Sequence, residues 1–111
     1  MADHGDMMLA DKAAFDAAVA ATSGGKPLVI DFTATWCPPC QRIGPVYAGK
    51  VAEYPELVLK KVDVDANAEA AQAAGINCMP TFKVYKNGAE VEKMEGASDQ
   101  GLIDLLNRAK A

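Results

Sequence analysis

From Leu28 to Thr33 the chain is apolar without alternation, apart from one carboxylate, Asp31. A half-exposed strand alternates apolar and polar residues, whereas an unbroken apolar run is covered on both faces. The segment therefore predicts a central strand with helices above and below it. A carboxylate inside such a strand is costly to ionise without a partner. Asp31 needs either an ion pair, for which Lys61 on the adjacent predicted strand is the candidate, or a chemical task. Immediately beyond lies Trp36-Cys37-Pro38-Pro39-Cys40, with its cysteines six and nine positions after Asp31.

The rest of the chain supplies the layers that the central strand demands. Phe15, Ala18, Val19 and Thr22 recur at helical spacing, predicting a helix over 11–21 that ends at Ser23-Gly24-Gly25. A short strand is expected at 7–9. The segment 37–54 reads as a helix with Ile43, Tyr47, Val51 and Tyr54 on one stripe, and Pro45 inside it predicts a kink. Leu57 to Val64 reads as a strand, and Ala68 to Ala74 as a helix stopped by Gly75. Thr81 to Lys86 and Ala89 to Glu95 form a hairpin around Asn87-Gly88. Ser98 caps a last helix that buries Leu102, Leu105, Leu106 and Ala109. The order β-α-β-α-β-α-β-β-α implies an α/β domain with a mixed sheet of about five strands and four helices on its two faces. At 111 residues the chain predicts one domain, residues 1–111, without repeats or linkers.

Two thiols separated by two residues at a helix start can close a small ring. Unsatisfied backbone N–H groups there favour the thiolate of the first, a nucleophile toward disulfides. The alternative for a Cys-x-x-Cys is half of a zinc site. Cys37, Cys40 and Cys78 make three ligands and His4 is the sole histidine, whereas a structural site wants four closed ligands, so no metal is expected. For Asp31 the chemical role is proton exchange with Cys40, which requires a carboxyl pKa raised toward the working pH.

The chain resembles the thioredoxin family over nearly its whole length, through the buried Asp31, the Trp-Cys-x-Pro-Cys block, Pro45, Met79-Pro80-Thr81, and Gly96 before the last helix. Asp31-Phe32-Thr33-Ala34-Thr35-Trp36-Cys37 and Lys61-Val62-Asp63-Val64-Asp65 are similar to the h-type members of plants and algae. The resemblance implies a protein-disulfide reductase without a bound cofactor. In it Cys37 attacks the target, Cys40 resolves, and Asp31 assists Cys40, with Pro38, Pro39 and Lys61 tuning the dithiol. It implies a cis bond before Pro80, where residue statistics alone favour trans. It also implies that Trp36, Met79, Pro80 and Gly96 form an apolar platform for disulfide-containing target proteins. Re-reduction falls to an NADPH-dependent thioredoxin reductase. The rival readings are a dithiol oxidant or isomerase of the same fold and a redox-inert interaction module.

Three positions depart from the commonest family pattern. Pro38 replaces glycine and stiffens the dithiol loop; Gln41 stands where a basic residue is frequent, with Arg42 one further on; and Glu95 is charged where an apolar residue is usual. Cys78 is either a small buried hydrophobe or, if exposed near the dithiol's rim, a thiol that forms mixed disulfides or joins two copies of an otherwise monomeric chain. The net charge of −4 with no basic block argues against nucleic acid, and no apolar stretch approaches ~18 residues, which argues against a membrane span. Few cysteines, and a start containing Asp3 and Asp6 rather than a leader pattern, predict a cytoplasmic protein.

Overall fold

The structure is a computed structural model that describes residues 7–111; Asp3, His4 and Asp6 lie outside the described residues. Helix α1 covers Lys12–Ala20, strand β1 Leu28–Thr33, α2 Pro38–Glu53, β2 Val58–Asp63 and α3 Ala68–Ala73. Strands β3 (Thr81–Lys86) and β4 (Ala89–Glu95) form the hairpin, and α4 (Asp99–Lys110) follows. Among the described residues the sheet has four strands in the order β2-β1-β3-β4, with β1 parallel to β2 and antiparallel to β3.

All six residues of β1 are buried, as an apolar run without alternation requires. Successive side chains of a strand point to opposite faces, so β1 feeds two separate cores. Leu28, Ile30 and Phe32 pack with Phe15, Val62, Ala70 and Tyr85. Val29 packs with Ile43, Tyr47, Phe82 and the α4 residues Leu102, Leu105 and Leu106. Asp31 shares the face of Val29 and so lies beneath α2.

Local chemistry sets the ends of the elements. Asp11 caps α1 by accepting from the Ala14 N–H at 2.8 Å, and Ser98 caps α4 by accepting from Gly101 at 3.0 Å. Asn87 and Gly88 both have positive φ, 53° and 80°, the requirement of a tight hairpin of the matching twist. Strand β4 is left as an open edge carrying Glu90, Glu92, Lys93 and Glu95.

Two expectations change. The strand expected at 7–9 is reduced to a single parallel bridge between Met8 and Lys61, with the Leu9 N–H donating to the Lys61 carbonyl at 2.8 Å. The chain turns into α1 at Asp11, which leaves too little extended backbone for a ladder. On α2, Ile43, Tyr47 and Tyr54 are buried, but Val51 is 46 % exposed. Helical period fixes an angle around the axis; it does not say where the layer underneath stops. Among the described residues no helix is long and apolar enough to cross a membrane.

Candidate active site

Helix α2 begins at the first cysteine. Cys37 is its N-cap in extended conformation, and its Sγ accepts a hydrogen bond from the Cys40 N–H at 3.3 Å. Pro38 and Pro39 fill the first two helical positions, where the fixed φ suits the turn and a missing N–H costs nothing. A consequence follows for the sulfur. With those two donors gone and the Gln41 N–H committed to the Cys37 carbonyl at 3.1 Å, the Cys40 amide is the backbone donor left to it.

Cys37 and Cys40 are joined as a disulfide, with Cα atoms 5.3 Å apart. Their sulfurs pack with Ala34, Val64 and Met79, and both residues are almost sealed, Cys37 at 5 % exposure and Cys40 at 1 %. The Met79–Pro80 bond is cis, as the resemblance implied and against the general preference for trans. The Cys37 sulfur lies 3.8 Å from the Met79 carbonyl oxygen, and the Gly96 N–H donates to the Pro80 carbonyl at 2.9 Å. Gly96 holds φ at +98°, a conformation that a side chain would strain.

The residues expected to form the platform differ in what they present. Trp36 is 62 % exposed, with its indole N–H donating to Asp65 at 2.7 Å; Met79 and Gly96 are half-buried. Pro80 is buried, so it shapes the surface more than it offers area. Glu95 is paired with Lys93 at 3.6 Å, which offsets part of the charge expected beside Gly96.

Asp31 is fully buried, and among the described residues neither of its oxygens has a hydrogen-bond partner. Burial pushes its pKa up to about 7, with the positive charge of Lys61 opposing. Lys61 stands opposite Asp31 in the strand register, yet the ion pair that would have explained the carboxylate is not made. The Lys61 ammonium lies beside Gly44 on α2, 3.7 Å from where a Cβ would stand. Tyr47 carries the imprint of the same acid: burial, then the Asp31 charge, raise its phenol well above the ordinary value.

Cys78 is a free, half-buried thiol, 3.7 Å from the Thr81 hydroxyl and outside the cluster that holds Cys37 and Cys40. Three cysteines therefore do not converge on one point. Two contacts were not read from the sequence. One is Trp36 with Asp65, for which the Asp63-Val64-Asp65 run was the available signal. The other is Arg42, which engages Ala97 and Asp99 through pairing 55 and 57 residues away that no local pattern announces.

Residues 6–108 match the thioredoxin family. The chain belongs to it. It is 47 % identical over 103 residues to a thioredoxin of Geodia cydonium, covering 92 % of this chain and 96 % of that one. It is 45 % identical over 113 residues to the H-type thioredoxin of Chlamydomonas reinhardtii, covering 95 % of each. A Nicotiana alata thioredoxin crystal structure superposes with a TM-score of 0.88 at 31 % identity, over 95 % of this chain and 92 % of that one. The disulfide at the start of α2 is thus the redox centre of a thioredoxin, and the chain is a thiol–disulfide oxidoreductase that reduces protein disulfides by dithiol–disulfide exchange. It shares an H-type relationship with plant and algal thioredoxins.

Proposed function

We propose that the chain works as a single thioredoxin domain in which Cys37 attacks and Cys40 resolves. The Cys37 thiolate bonds to one sulfur of a target disulfide, and the other target sulfur departs as a thiolate that takes a proton. The Cys40 thiol gives its proton to the Asp31 carboxylate. The Cys40 sulfur then bonds to Cys37, and the second target sulfur leaves reduced. Two electrons pass to the target and the ring is closed. The observation that carries this reading is the position of the two sulfurs at the start of α2, the helix under which Asp31 is buried with no hydrogen bond among the described residues.

Targets lie on the surface formed by Trp36, Met79, Gly96 and the backbone around Pro80, while Pro38, Pro39 and Lys61 tune the dithiol. The ring is reopened by an NADPH-dependent thioredoxin reductase in the cytoplasm. The deciding experiment is the dithiol potential, measured together with NADPH-coupled turnover on a protein disulfide. A value near the about −270 mV of thioredoxin supports a reductant; one near the about −120 mV of the periplasmic oxidant makes the chain an oxidant instead.

The chain acts as a monomer, and Cys78 joins two copies or takes a mixed disulfide on oxidation, because it is free and only half-buried beside Met79. Mass spectrometry after oxidised glutathione treatment checks it. An unmodified Cys78 in protein whose ring is fully closed makes the thiol a packing residue.

A further inference from the structure

The segment between β4 and α4 carries Gly96 and Ala97 past the dithiol, and it is tied down on both sides. On one side the Gly96 N–H donates to the Pro80 carbonyl at 2.9 Å. On the other, the Arg42 guanidinium donates to the Ala97 carbonyl and, at 3.0 Å, to the Asp99 carboxylate in the first turn of α4. Arg42 stands on α2 two residues beyond Cys40. The contacts therefore close a loop, running from the Cys37 sulfur to Met79-Pro80, across to Gly96-Ala97, through Arg42 to α2 and back to the dithiol.

We propose that Arg42 is a positioning residue for target binding, a strap that holds the Gly96–Ala97 backbone edge at a set distance from the dithiol. Arginine suits the task because its planar fork presents several donors at once, so one side chain spans a carbonyl and a carboxylate. An ammonium is a compact charge and would reach one of them. The Arg42–Asp99 pair is about half exposed on each side, and exposed pairs add little to stability. Its effect therefore belongs to the shape of the target surface and leaves the melting temperature nearly unchanged. The inference rests on the reading of Gly96 as part of that surface.

The test compares a large and a small disulfide, insulin and dithiobis-nitrobenzoate, with dithiothreitol as reductant so that docking of a reductase does not enter. In Arg42→Ala the KM for insulin rises about two- to fivefold, the size expected from losing one exposed charged contact. Its kcat, its rate with the small disulfide and its melting temperature stay as in the parent. Arg42→Lys restores part of the loss, and Asp99→Asn, which keeps the Ala97 contact, shows a smaller rise than Arg42→Ala. An unchanged KM, or equal losses on both substrates, overturns the strap. Trp36→Ala separates the two readings. If it raises KM for insulin and Arg42→Ala does not, the strap alone is wrong; if neither does, the target surface is wrong and the strap falls with it.

Discussion

Among the described residues three charged side chains of the sheet are buried, Asp31, Lys61 and Lys83, and two of them, Lys83 and Asp31, sit on opposite faces of neighbouring strands and are treated in opposite ways. Lys83 of β3, paired with Ile30 in the register, is 5 % exposed. Its ammonium donates to the Ala74 carbonyl and to the Glu90 carboxylate, the latter at 2.6 Å. Asp31 of β1 lies one register position along, on the other face, and among the described residues neither oxygen has a hydrogen-bond partner. The buried charge on the face away from the dithiol is thus hydrogen-bonded and ion-paired, whereas the carboxylate beneath the dithiol makes no hydrogen bond among the described residues and feels Lys61 through charge alone. A buried group left unpaired costs stability, whereas a paired one is a structural feature. On the proposed mechanism, the difference separates a side chain kept for the architecture from one kept for its proton.

The comparison breaks first if the chemistry does not belong to the Asp31 face. Cys37→Ser is expected to abolish disulfide reduction, while Cys40→Ser keeps the first attack and accumulates mixed disulfides with targets. Trapping by Cys37→Ser rather than Cys40→Ser reverses the roles, and gel analysis under non-reducing conditions decides between them.

Asp31→Asn tests the cost directly. Its folded pKa of about 7 stands above the ordinary carboxyl value of 3.8. The group's favourable contribution is therefore full below the lower value and is lost as pH rises through the higher one. Asparagine removes that loss. At pH 8 the variant gains up to about 4 kcal/mol, less the cost of an unpaired buried amide, and at pH 4 nearly all of the gain is gone. Release from mixed disulfides slows, since asparagine accepts no proton. Urea titrations at the two pH values check it; a gain independent of pH, or unaltered release in single turnover, removes the proton role.

Lys83→Met should move stability the other way. It strands the Ala74 carbonyl and takes the cation from Glu90, for a loss of about 1–3 kcal/mol with turnover unchanged. A variant as stable as the parent would end the contrast between the two faces. The smallest effect is expected from Pro38→Gly. Glycine returns an N–H to the first turn beside the Cys37 sulfur, which lowers the thiol pKa by about half a unit or less. Thiolate absorbance against pH reads it, and an unchanged titration shows that the Cys40 amide alone sets the local field.

What the sequence made legible follows from how local the cause is. The hairpin bounds and the α4 stripe were readable because Asn87-Gly88 and the spacing of Leu102, Leu105, Leu106 and Ala109 act within a few residues. The dithiol and the buried acid were readable because each violates its own surroundings, a reactive pair after a strand and a charge inside one. The relation of Asp31 to Lys61 was not, since register places the two backbones side by side while a four-carbon stem decides where the charge ends. Arg42 and Lys83 were missed for the same reason: their partners are carbonyls and carboxylates on other elements, and a carbonyl has no signature in a sequence.

The open edge of β4 has a bearing on how such a molecule survives its own work. A protein that handles other polypeptides meets extended, partly unfolded chain, and a bare strand edge is a template on which such chain can aggregate. Four of the seven residues of β4 are charged, and three of those charges are carboxylates. Adding a strand there would line up like charges or bury them beside foreign backbone. Sticking is discouraged along the rim that β4 forms, which suits the proposed confinement of client contact to the end where the sulfurs are.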